Sequence, residues 1–454
     1  MALVATIINI FLWSRWTYSA SRVFFVRNSY NSFLQISAFL FPFYSASFAI
    51  SGFQVSFYKI MPIFLLLSFM LSKEKLNPKV LIISVYFILI TGISYFYAYS
   101  SGLFDEVIAL GRNESSAYLG PLIQGMLFLF AILQFWFVRK NEQIDHIKIL
   151  SCYIYGCLLL VFIGYIQIFA YVTNLPWFDY WFLHDALGRG EEESLASLAN
   201  DRGFYRMSSL SGEPRHFSAL LALSLMLKQY VQDANRDFKY ITGKNSIFSS
   251  IFIFSGFLLT ISSSGLLSIM IGFGTFLFFT RPKRFILFSF LSFLVLLLFS
   301  EYTLIGNLLW KLSSIDMILY AVKKDAFALY AITNDWLHFF IGYGTNLADL
   351  YVKEYYLLQD SPFGGTYNRY LLESNPMEAI IAPTSAILQV LINGGLIGFF
   401  LVFLLMFGDI RHCRKKTIFL MISILAMSLS ASTIIFPLSI IFFAIIASYE
   451  KECR

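Results

Sequence analysis

The sequence predicts an all-α, polytopic membrane protein, and three observations carry that expectation. Of 454 residues, 58% are hydrophobic and 13% charged, with a mean hydropathy of +0.70. Runs of about 20 apolar residues recur along the chain, each long enough to cross about 30 Å of hydrocarbon. Those runs are apolar on all sides instead of alternating, which sets aside a membrane β-barrel.

About twelve spans are expected, at 30–50, 55–72, 79–98, 119–138, 148–172, 207–227, 246–261, 263–280, 285–301, 379–408, 417–433 and 434–449. Ahead of them, Ala2 to Trp13 is a short apolar run with no positive region before it and Arg15, Arg22 and Arg27 after it. It reads as an interfacial or partly inserted helix, not a cleavable signal. Basic residues cluster on alternate connections: Lys73/Lys75/Lys79, Arg139/Lys140/Lys148, Lys228 to Lys244, Arg281/Lys283/Arg284, Arg411 to Lys416 and the tail. With the three early arginines these hold 22 of the 33 cations, so both termini are expected in the cytoplasm. Cys152, Cys157, Cys413 and Cys453 imply no disulfide framework.

The opposite, outer side then receives loops 99–118, 173–206 and 302–378, which carry most of the acids. The chain accordingly divides into residues 1–301, the large outer loop 302–378 and a C-terminal helical part 379–454. Leu175 to Phe182 is aromatic enough to lie in the membrane interface. Asp316 to Tyr330 has apolar residues at helical spacing, interrupted by Lys323-Lys324-Asp325, and fits an amphipathic helix. Gly342-Tyr343-Gly344 and Gly364-Gly365 punctuate irregular backbone.

The most unusual stretch is Arg202 to Ser218, which gathers Arg202, Arg206, Glu213, Arg215 and His216 at the mouth of an apolar helix. A charge near the bilayer core costs roughly 2.5 to 3.5 kcal/mol, so such a cluster is a functional candidate. Arginine suits a diphosphate because its planar fork donates paired hydrogen bonds and stays charged out of water. Glu213, held extended before Pro214, either accepts a proton as a general base or neutralises Arg206 and Arg215. His216 is the second candidate base. Elsewhere, Arg369 and Glu373 sit four apart at a helical spacing that also fits a solvated ion pair. His338, beside Trp336, reads as interface packing. The turn Thr260 to Gly265 reads either as a re-entrant, phosphate-facing tip or, more simply, as a serine-rich hairpin. No phosphate loop, H-E-x-x-H, C-x-x-C or clustered D-x-D is present, so nucleotide-driven or metal-dependent sugar transfer has no motif behind it.

Arg206-Met207-Ser208-Ser209-Leu210-Ser211-Gly212-Glu213-Pro214, Ser262-Ser263-Ser264-Gly265, Phe340-Ile341-Gly342-Tyr343-Gly344, and Thr384 to Gln389 followed by Gly394 to Gly398 occur in that order. Together they resemble the O-antigen polymerase and O-antigen ligase superfamily of bacterial envelope enzymes, over roughly residues 200–400. Two positions depart from the family. Serine stands at 264 where arginine is common, and Thr384 stands where the ligases have a histidine. The second departure favours a polymerase over a ligase.

The resemblance implies a GT-C-like glycosyltransferase of the bacterial inner membrane, with its active site facing the periplasm. It would join oligosaccharide repeats carried on undecaprenyl diphosphate, for lipopolysaccharide or another surface polysaccharide, without metal or other cofactor. Arg206 and Arg215 would hold the diphosphate and Glu213 or His216 accept the proton. Arg202, Arg369, Glu373, His338 and Lys324 would contact diphosphate or glycan. Partners implied are membrane lipids, a chain-length regulator and a flippase, with no nucleic acid. The rival class is a transporter of the same lipid-linked unit, which should show two related halves and charges within its spans. No internal repeat is visible, and the ionisable residues collect in the outer loops.

Overall fold

The structure, a computed structural model, describes residues 14–15, 18, 30–43, 47–50, 53–56, 78–109, 114–140, 145–173, 175, 206–211, 214–232, 241, 245–260, 263–298, 329, 332–333, 335–345, 347–348, 350, 385–408, 414–427 and 446. Its helices are α1 Tyr30–Leu40, α2 Pro78–Ser100, α3 Leu103–Ala109, α4 Glu114–Lys140, α5 His146–Val172 and α6 Pro214–Gln232. After these come α7 Ser246–Leu259, α8 Ser263–Thr280, α9 Pro282–Leu298, α10 Trp336–Ile341, α11 Ala386–Phe407 and α12 Lys415–Met427. Proline opens α2, α6 and α9. At that first position its missing N–H costs nothing and its fixed φ is already helical.

Among the described residues, three helices are long and apolar enough to cross a membrane: α2, α5 and Ile387–Phe407 of α11. Ser246–Leu259 and Ser268–Thr280 are shorter apolar helices. Helix α5 is about 40 Å long at 1.5 Å per residue. Asp145 caps its start by accepting from Lys148 N at 3.2 Å. It packs against α1, α6 and α7, while α8 packs on α6 and α12. Helix α6 is the innermost element, buried without interruption from His216 to Val231.

Helix α2 has two unlike faces. Val80, Ile83, Ser84, Phe87, Thr91, Ser94 and Ala98 form its buried stripe at helical spacing. Ile82, Ile88, Leu89, Ile93 and Phe96 are exposed, so the outward face is largely apolar, while Ser84, Thr91 and Ser94 turn their hydroxyls inward. That inversion is what a helix bathed in hydrocarbon requires.

Four expected spans differ in extent. The span expected at 30–50 stops at Leu40, just ahead of Pro42, which cannot continue a helix. Beyond it β1 Ser47–Ile50 pairs antiparallel with β2 Phe53–Ser56, Ile50 opposite Phe53. The alternating residues and the intervening Ser51-Gly52 suit a two-residue hairpin, and β2 also takes the first residues of the span expected at 55–72. The span expected at 207–227 begins as helix only at Pro214 and runs on to Gln232. The one expected at 379–408 begins as helix at Ala386, behind the cap Ser385. Residues 57–72, nearly all of 434–449, the stretch Ala2 to Trp13, the interfacial stretch 176–182 and most of the loop 302–378 lie outside the described residues.

Candidate functional site

Helices α5 and α7 finish where α6 and α8 begin, and residues 206–211 lie at that end of the bundle. Met207 donates its N–H to Leu259 O at the end of α7, 3.0 Å away. Gln167, one turn before the end of α5, accepts from Ser208 N (3.3 Å) and Ser209 N (2.8 Å), and donates to Ser208 Oγ (3.2 Å). Ser209 Oγ donates to Leu160 O at 2.8 Å, and Ser211 Oγ to Ser208 O at 2.6 Å. Residues 209–211 form a 3-10 turn that starts from a positive φ of 49° at Ser209. Every residue from Met207 to Ser211 is at most 1% exposed.

This segment is a buried plug, fixed on both sides. Arg206 precedes it, half-buried. Two residues after it, α6 begins with Pro214, Arg215 and His216 on its first turn, and His216 is 7% exposed. The plug therefore brings Arg206 and His216 to one end of the bundle. Helix α6 contributes Arg215 through its backbone position. The serines that accompany Arg206 in the sequence are used for scaffolding: each hydroxyl is turned inward onto protein. Arg202, Glu213, Lys324, Arg369 and Glu373 lie outside the described residues.

His338 belongs to a second cluster. Asp335 caps α10, its Oδ1 accepting from Leu337 N (3.1 Å) and His338 N (3.2 Å) while Oδ2 meets the His338 ring. Partial burial alone would raise the Asp335 pKa. The hydrogen bonds from His338 and Leu337 outweigh it and hold the carboxyl below the usual aspartate range. The His338 ring stacks on Tyr343, centroids 4.2 Å apart and planes within 9°.

From α10 the chain turns at Gly342 (φ 80°) and Gly344 (φ 85°) and docks against a break in α11. Tyr343 N donates to Ile392 O (2.8 Å) and Gly344 N to Asn393 O (3.0 Å). Tyr86 Oη of α2 donates to Ile341 O and Gly394 O, at 3.0 and 2.7 Å. Thr345 N donates to Thr91 Oγ1 at 3.0 Å, and the two threonine hydroxyls are themselves bonded. Gly395 is non-helical (φ 60°, ψ −168°), so the carbonyls that α11 leaves unpaired there meet the N–H groups of the turn. Thr91 lies about 20 Å from the start of α2 and about 14 Å from its end. The turn thus reaches well inside the length of α2, where irregular backbone is tolerated only if protein covers it.

Sequence reasoning missed Gln167, Tyr86, Thr91 and Asn393. All are polar groups inside otherwise apolar runs, and that isolation was the available signal.

Compared with known protein families, curated proteins and solved structures, the chain matches none.

Proposed function

We propose that this chain is a GT-C-like membrane glycosyltransferase of the O-antigen polymerase type, working at the periplasmic face of the bacterial inner membrane. It carries about twelve spans, with both termini in the cytoplasm. Its substrates are two oligosaccharide repeats on undecaprenyl diphosphate. The observation that supports this reading is the plug: a fully buried, hydrogen-bonded segment with Arg206 at one end and the helix bearing Arg215 and His216 at the other. Charge developing on a leaving group is stabilised best by donors that need not reorganise, and a fixed segment supplies that.

In the reaction, a hydroxyl of the acceptor's terminal sugar attacks the anomeric carbon of the donor. The new glycosidic C–O bond forms as the bond to the diphosphate oxygen breaks, and undecaprenyl diphosphate leaves with the electron pair. Arg206 and Arg215 hold its phosphates, with Arg202, Lys324 and Arg369 as further contacts. Glu213 or His216 takes the hydroxyl proton. His338 and Glu373 contact glycan. Arginines neutralise the leaving group where metal-dependent enzymes use a cation, and the sequence carries no D-x-D motif for one. The partners this reading implies are a chain-length regulator and a flippase.

The test is a lipopolysaccharide gel of a strain lacking the protein. The expected result is core plus a single repeat, with the ladder restored by the wild-type chain. Arg206→Ala, Arg215→Ala and Glu213→Ala, at equal membrane levels, should fail to restore it, since one lost oxyanion-type donor costs about 100- to 1,000-fold in rate. Wild-type ladders from all three variants would sink the assignment. Core alone in the deletion strain would point to ligation or export.

A further inference from the structure

A cavity of about 200 Å³ lies toward the other end of α6, between α7, α8 and α9. Lys228, Gln229, Gln232 and Ser250 line it on one side, and Phe254, Phe273 and Phe288 on the other. Lys228 and Gln229 are about 21 Å along α6 from Pro214, so the cavity is separate from the plug.

Lys228 is 2% exposed and donates to Ser246 O (2.5 Å), Ser246 Oγ (3.2 Å) and Ser250 Oγ. All three acceptors are neutral. Arg284, at the start of α9, reaches Gln229 Oε1 at 3.4 Å. That contact fixes the amide the other way round, and Gln229 Nε2, on a side chain 9% exposed, has no hydrogen-bond partner among the described residues. Among the described residues, no carboxylate lies within 4 Å of Lys228 or Arg284. A buried cation, a second cation at the rim and an unpaired buried donor are a set that an anion would complete.

The apolar wall says what the anion is attached to. Phe254 lines the cavity yet is 40% exposed, and Ile251 and Leu258 extend its exposed stripe along α7 at 62% and 42%. A hydrocarbon tail fits that stripe while its head enters the cavity.

We propose that this cavity binds the phosphate headgroup of an anionic phospholipid, whose tails lie along the Ile251–Phe254–Leu258 face of α7. Lys228 supplies the buried charge, Gln229 Nε2 a neutral donor and Arg284 the outer contact. The site does not depend on the polymerase reading.

The experiment titrates the detergent-solubilised full chain with short-chain phosphatidic acid, the matching phosphatidylcholine, and inorganic phosphate, following thermal unfolding. Phosphatidic acid should raise the midpoint saturably, and the other two should not at the same concentration. Arg284→Gln alters an exposed residue and keeps the fold, and it should weaken the apparent affinity roughly tenfold. Lys228→Met, which keeps the volume, should abolish the shift. An equal shift from phosphatidylcholine, or saturation by inorganic phosphate alone, would overturn the proposal. So would unchanged affinity in Arg284→Gln.

Discussion

Gln167 is the only amide in Ile149–Val172, and it holds two consecutive N–H groups of the plug. Replacing it with leucine keeps the volume but leaves those buried donors unmet, so Gln167→Leu should lower stability by about 3 kcal/mol. Thermal unfolding in detergent reads this; a midpoint equal to wild type would mean that Leu160, Ser211 and Leu259 hold the plug without it. Asp335 makes a prediction of a different kind. Its folded pKa is depressed, so its contribution is complete above the unfolded value, near 3.8, and is lost as pH falls through the lower folded value. Asp335→Ala should cost about 1 kcal/mol at pH 6, and the gap to wild type should close in strongly acidic buffer. A gap that stays constant with pH would show that the carboxylate charge is not what caps α10. Neither role was legible beforehand. A lone glutamine in an apolar span announces a partner without saying which, and capping by Asp335 depends on where α10 starts.

At the level of elements, the sequence located the helices well where proline, glycine or basic residues punctuate them. Pro78, Pro214 and Pro282 each open a helix, and α8 starts at Ser263, four residues after α7 ends at Leu259. It failed at 207–211, where a serine-rich run just ahead of an apolar helix hid a non-helical segment. Composition reports burial, and burial is shared by a helix and a plug whose backbone is bonded to side chains. It failed likewise at 30–50, where β1 begins after Pro42. The glycines 342–344 were legible as irregular backbone, but their docking partner was not, because Gly395 looks like any small residue in a span. A Cβ on Gly395 would come within 2.3 Å of Phe340 O, and one on Gly342 within 2.4 Å of Gly395 N. Gly395→Ala should therefore release the α10 turn while leaving α2 and α5 in place. Hydrogen exchange should rise at Tyr343, Gly344 and Thr345 and stay unchanged in α5; retained protection at 343–345 would refute the close approach.

Across the whole molecule, composition carried the apolar helical class: among the described residues three helices are long and apolar enough to cross a membrane, and Ser84, Thr91 and Ser94 of α2 point in. Loop charges predict an orientation. Reporter fusions after Lys75, Lys140 and Lys416 should report cytoplasm, and fusions after Ser101 and Asn174 the outer side; a reversed pair would break the twelve-span layout. The docking of the turn 341–345 was the least legible feature, since its partners lie about 50 residues after it and some 250 residues before it. That distance has a consequence for how the protein is made. Tyr86 and Thr91 are translated some 250 residues before the turn they bind, and Asn393 follows Tyr343 by 50 residues, about 3 to 10 s at ordinary elongation rates. The turn therefore emerges with one half of its berth already made and the other half not yet synthesised. It must wait for α11 before it can seat, so this part of the molecule closes only after residue 395 and its neighbours have been made.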